Sequence, residues 1–110
     1  MKLSEQKCVP CEGGTPPLAA AEIKKLLLEL SSRWSAEGNQ LKAEFKLKDF
    51  KEAMRFVNEV AALAENEGHH PDFYVFYSRV RLELWTHAAG GLTQNDFILA
   101  VKIDKIAEAF

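Results

Sequence analysis

The chain has 110 residues, 47% apolar and 27% charged, with a formal net charge of −2. That length holds one domain with one modest core. The two signs of charge are interspersed, so the basic field that nucleic-acid binding needs is missing and direct DNA binding is disfavoured. No segment approaches the ~20 apolar residues of a membrane span. The start, Met1 to Lys7, lacks the apolar core of a secretory signal, and a cytoplasmic location is the expectation. Two cysteines are too few for a disulfide scaffold of this size.

Residues 1–17 read as a flexible N-terminal tail, because Pro10, Gly13, Gly14, Pro16 and Pro17 crowd it with turn formers. Cys8-Val9-Pro10-Cys11 is a single C-x-x-C. A structural zinc site needs a second ligand pair, and a redox motif needs a βαβ context. The expectation is two exposed thiols, able to bind metal weakly or to form a local disulfide in air.

The domain proper is expected over residues 18–110. A first helix is predicted from about Pro17 to Leu30, capped by Thr15, with Ile23, Leu26, Leu27 and Leu30 on one stripe. Gly38-Asn39 is a two-residue turn signal. Beyond it Leu41, Ala43, Phe45 and Leu47 alternate with Lys42, Glu44, Lys46 and Lys48, the pattern of a half-buried strand. Asp49 and Glu52 form an aspartate capping box for a second helix. Ala53, Phe56, Val57, Val60, Leu63 and Ala64 keep helical spacing, and Gly68 ends it. A β-like stretch runs from Phe73 to Thr86, with Ser78-Arg79 as the expected turn. After Gly90-Gly91, Thr93 and Asp96 form the cap of a last helix carrying Leu99, Ile103, Ile106 and Phe110.

The order is α-β-β-α-β-β-α. Hairpin strands imply a four-stranded antiparallel sheet, and helices with one apolar stripe imply packing on one of its faces, an α+β fold.

The chain has only three histidines. His69 and His70 follow the second helix, and His87 follows the last strand. Hairpin geometry can gather these ends, making a group of near-neutral acids and bases. Glu65 lies one helical turn before His69 and can orient its ring. Thr93 and Asp96 read most simply as a helix cap. Trp85, Phe73 and Tyr77 can stack on a flat ligand. A histidine-held metal is disfavoured, because adjacent His69 and His70 would point apart in extended chain. Phosphate loops, dinucleotide fingerprints and G-x-S-x-G elbows are absent.

The run Glu65-Asn66-Glu67-Gly68-His69-His70-Pro71-Asp72-Phe73, continuing through Tyr77, Val80, Leu84, Thr86 and His87, resembles the pterin-4a-carbinolamine dehydratase family. Gly91-Leu92-Thr93, Asp96, Leu99-Ala100, Trp34 before Gly38-Asn39, and Asp49-Phe50 before Ala53 and Phe56 look like the same family. The likeness spans about residues 18–110. It departs at Gly68, where many members carry an acidic or polar residue, and at Phe73 and Val75, where some animal members have Trp and Asn.

The resemblance implies His69, His70 and His87 as active-site histidines, Glu65 as their supporting carboxylate and Asp96 as a nearby motif residue. Pro71, Phe73, Trp85 and Thr86 become candidate substrate contacts. The implied reaction turns 4a-hydroxytetrahydropterin into quinonoid dihydropterin and water, within tetrahydrobiopterin recycling. It involves no redox change and calls for no cofactor or metal. His69 and His87 are expected as acid and base, in either order, with His70 binding the pterin. A homodimer or homotetramer and a functional link to an aromatic amino acid hydroxylase are implied. The alternative is a binding or dimerisation module, as in animal members that partner a transcription factor, or a protein of molybdopterin metabolism.

Overall fold

Apolar alternation along two strands dictates the architecture of the protein, described over residues 2–10 and 16–110 in a computed structural model. The strands are β1 (Ser35–Glu37), β2 (Gln40–Lys46), β3 (Asp72–Phe76) and β4 (Arg79–Leu84); the helices are α1 (Ala20–Leu27), α2 (Phe50–Glu67) and α3 (Gln94–Ala107). The four strands form one sheet in the order β1-β2-β4-β3, antiparallel throughout. This is the predicted α-β-β-α-β-β-α order.

Register sets the core. Leu41 lies opposite Leu84, Ala43 opposite Leu82 and Phe45 opposite Val80. All six are buried, and α2 and α3 cover them with Ala53, Phe56, Val60, Phe97, Leu99 and Ile103. On the other sheet face Lys42 lies opposite Glu83 and Glu44 opposite Arg81, so opposite charges meet across the strands. Phe45 is the packing centre: its ring lies 4.9 Å from Phe56 and 6.0 Å from Trp34.

The termini of the elements follow local chemistry. The β1–β2 loop is the predicted Gly38-Asn39 pair, with Gly38 at φ 60°. Asp49 caps α2 by accepting the Glu52 N–H at 2.8 Å, while the Glu52 carboxylate turns to Arg55. Gly68 ends α2 at φ 69°, a left-handed conformation that costs glycine little.

Three expectations need correction. Helix α1 is shorter than the predicted 17–30. Leu18 N–H is claimed by Leu92 O at 2.8 Å, and Glu29 and Leu30 make tight bonds to the third residue back. The predicted cap, Thr15, lies outside the described residues. The second hairpin turns at Tyr77-Ser78, with Phe76 paired to Arg79, and not at Ser78-Arg79. Tyr77 takes the left-handed φ of 54° that a two-residue loop demands, and its ring stacks on Phe50 at 6.4 Å. Finally, Cys8 is buried, so the reading of two exposed thiols fails for it; Cys11 lies outside the described residues. Leu3 is also buried, and residues 3–9 lie against the body through contacts to α2 and α3.

Asp104 on α3 pins the loop before β1. It accepts from Ser31 N–H and Oγ–H, both at 2.8 Å, and from Trp34 Nε1–H at 3.0 Å. No helix among the described residues is long and apolar enough to cross a membrane.

Truncating Phe56 to alanine removes a fully buried ring from between the sheet and Phe110. Denaturant unfolding should show a loss of about 3–5 kcal/mol, with the cooperative transition retained.

Candidate active site

Two chain breaks bring the histidines together. The left-handed turn at Gly68 releases His69 and His70 from α2. Beyond β4 a 3₁₀ turn, His87–Ala89, is closed by Gly90 at φ 69° and by a bridge between Thr86 and Gly91. Both breaks open onto one cleft of about 450 Å³. Its lining includes His69, His70, Pro71, Trp85, Thr86 and His87. That volume is within the range of small-molecule sites.

Asp96 organises the floor. Its side chain is fully buried, and three donors converge on it. His69 Nε2 lies 2.5 Å from Oδ1. Thr86 Oγ–H and Thr93 N–H both reach Oδ2 at 2.9 Å. Thr86 has one hydroxyl hydrogen, which it gives to Asp96, so Thr93 Oγ–H must donate to Thr86 Oγ across their 2.9 Å separation. A buried carboxylate needs such company, since leaving it unpaired is costly. An ionised Asp96 can only accept, so His69 carries its proton on Nε2 and Nδ1 is the nitrogen not engaged with the carboxylate.

His70 is different. Its Nε2 meets Glu65 Oε1 at 3.1 Å, with the two side chains 60% and 77% exposed. Such a surface pair contributes little. The expectation that Glu65 orients His69 is therefore overturned: Glu65 serves His70, and Asp96 serves His69. His87 is exposed at the cleft, and its ring packs on Trp85 with centroids 3.9 Å apart.

Of the predicted substrate contacts, Pro71, Trp85 and Thr86 line the cleft; Phe73 instead packs against the core. Sequence reasoning missed Val9, Pro10 and Asn95 in the lining. No local pattern marks them, because their place is set by contacts across the fold. Among the described residues, no three His, Cys, Asp or Glu side chains gather in metal-ligand geometry. A second depression of about 420 Å³ lies on the charged sheet face, among Arg33, Lys42, Glu44, Arg81 and Glu83, and holds no histidine.

Residues 16–106 match the sequence pattern of the family described as pterin 4 alpha carbinolamine dehydratase. The chain belongs to this family. It is 50% identical over 103 residues to a Rickettsia bellii protein that carries the family name provisionally, covering 93% of this chain and 91% of that one. A relative from Alkaliphilus metalliredigens, named in the same way, is 45% identical over 104 residues, 94% of each chain. The fold is also similar to a crystal structure described as a transcriptional coactivator/pterin dehydratase from Brucella melitensis. Its TM-score is 0.78 at 34% identity, covering 83% of this chain and 98% of the other. A pterin dehydratase-like protein described as a RuBisCO assembly factor shares the fold at a TM-score of 0.56 and 22% identity, covering 68% of this chain and 87% of that one.

A second carboxylate, Glu67, sits behind the cleft and is nearly buried. Burial pushes its pKa up, but the Lys102 ammonium at 2.7 Å and the Cys8 N–H at 2.8 Å outweigh that, and Glu67 titrates below the ordinary glutamate range. The Cys8 thiol moves the other way. Burial, with the Glu67 charge beside it, pushes it up to about 12.

Three outcomes follow from Glu67, Asp96 and His69. Glu67 has a folded pKa below its unfolded one, so its stabilisation is complete above the ordinary glutamate range and fades as pH falls through it. Wild type should therefore lose more stability than Glu67→Gln between about pH 5 and 3, read by denaturant midpoints. Asp96→Asn should lower stability by roughly 1–3 kcal/mol, because an amide cannot accept from all three donors. In wild type, ¹⁵N NMR of the His69 ring should find the proton on Nε2; a neutral ring protonated only at Nδ1 would contradict the account.

Proposed function

We propose that the protein catalyses dehydration of 4a-hydroxytetrahydropterin to quinonoid dihydropterin and water. The observation that carries this reading is the gathering of all three histidines on one cleft, with a buried carboxylate behind His69. The reaction breaks the C4a–O bond while the neighbouring ring nitrogen's lone pair forms a C=N bond. Hydroxide leaves poorly, so one imidazolium donates a proton and the group departs as water. A neutral imidazole removes a proton from the ring nitrogens. One histidine ends deprotonated and the other protonated, and solvent exchange restores both.

His69 and His87 suit these two steps. Asp96 fixes the His69 tautomer and supplies a counter-charge when the ring is an imidazolium. His87 reaches the cleft from the opposite chain segment, with Trp85 holding its ring. His70, with its exposed partner Glu65, is the pterin-binding imidazole. The indole of Trp85 offers a flat face beside them. Neither step calls for an electron acceptor. The reaction belongs with tetrahydrobiopterin recycling after an aromatic amino acid hydroxylase, which makes such a substrate.

Self-association accompanies this reading. Strand β3 is a sheet edge, and its Tyr74, Val75 and Phe76 are exposed together with Tyr77. An apolar edge of this kind favours pairing with a second copy. Sedimentation should find a dimer or tetramer.

The test is the decay of 4a-hydroxytetrahydropterin with and without protein. His69→Ala and His87→Ala should each lower kcat by about 10²–10⁴-fold. His70→Ala should act mainly on KM. A His87→Ala protein with full activity would refute the mechanism.

A further inference from the structure

The catalytic reading uses only one side of the cleft. The histidines, Trp85 and Thr86 come from the ends of α2 and β4. A further wall is formed by Val9 and Pro10, from a segment far away in sequence. It carries no acid or base, so it takes no part in proton transfer. It is nevertheless tied down by hydrogen bonds to α2 and α3.

Asn95 makes the decisive contact. Its Oδ1 accepts from Val9 N–H at 3.0 Å, and its Nδ2 donates to Val9 C=O at 2.6 Å. A side-chain amide here pairs with a peptide in both directions, its donor and acceptor sitting on separate atoms. One residue earlier, Cys8 N–H donates to Glu67, itself ion-paired to Lys102. The Cys8 thiol is tucked inward, with Sγ 3.5 Å from Asn95 O. Leu3 is buried at the start of the segment. Val9 itself is 64% exposed. A backbone fixed this well beneath an exposed apolar side chain is a presented surface.

Resting on the dehydratase reading, we propose that Val9 and Pro10 form the specificity wall of the cleft, meeting the substituent that projects from the two-ring heterocycle. Val9 is the contact and Asn95 its positioning residue. Asn95 directly precedes Asp96 on α3. One turn of helix thus sets both halves of the site: Asp96 holds the reacting side through His69, and Asn95 holds the recognising side through Val9. The described lining residues include no Lys or Arg. Val9 and Pro10 present apolar atoms there, which suit a short neutral substituent.

The test compares two substrates on the full chain: 4a-hydroxytetrahydropterin with a methyl at C6, and the same compound with a dihydroxypropyl chain there. Val9→Gly and Asn95→Ala should each lower kcat/KM for the long-chain substrate by about fivefold, through KM. For the methyl substrate the loss should stay below about twofold. The pH profile of kcat should not move, because His69 and Asp96 are untouched. Equal losses on both substrates, or none on either, would overturn the wall. Val9 is exposed, so its variant keeps the fold even if Asn95→Ala lowers the melting temperature. If wild type turns over neither substrate, the dehydratase reading falls and takes the wall with it. If wild type is active and the variants do not discriminate, only the wall is lost.

Discussion

The site depends on one fully buried carboxylate. Asp96 sits at 0% exposure and receives a helix-start N–H, a threonine hydroxyl and an imidazole. Each donor comes from a different part of the chain: the start of α3, the segment just past β4 and the turn that follows α2. Desolvating a carboxylate is costly, and only the full set of partners offsets it. The requirement therefore couples three elements whose ends would otherwise drift independently. A helix cap has been extended into the scaffold of the cleft.

The sheet supplies the distance relations that this carboxylate exploits. Placing β4 between β2 and β3 puts its end in the middle of the sheet, with the hydrophobic ladder from Phe45–Val80 to Leu41–Leu84 beside it. The rigid part of the molecule thus ends where Trp85, Thr86 and His87 begin. The histidines lie just past regular structure, on short turns closed by left-handed glycines. Such turns place side chains at an opening while the neighbouring backbone stays anchored.

What the sequence revealed, and what it hid, divides by range. Caps and turns are local, so Asp49, Gly68, Thr93 and Gly38-Asn39 could be read directly. The strand faces were legible from strict alternation of Leu41, Ala43 and Phe45 with charged neighbours. The three histidines were legible as a group because so few exist. Their partners were not. Helical spacing tied Glu65 to His69, but Gly68 turns the chain left-handed before His69, and the i+4 rule no longer applies. Asp96 carried a sufficient local explanation as a cap, which masked its second role. The first residues looked like a tail because turn formers dominate, whereas Leu3 and Cys8 find their burial only against α2 and α3. The second hairpin turn was missed because an aromatic residue rarely takes a positive φ.

That last residue has a mechanical meaning. Tyr77 is the one described non-glycine residue held in the left-handed region, and its ring lies nearly parallel to Phe50 at the head of α2. Glycine would suit the backbone better but would release the hairpin tip from the helix. The chain tolerates a locally awkward torsion to stitch the far end of the sheet to the layer above it. The molecule is thereby fastened at both ends of α2, by a carboxylate beside the cleft and by two stacked rings at the opposite pole.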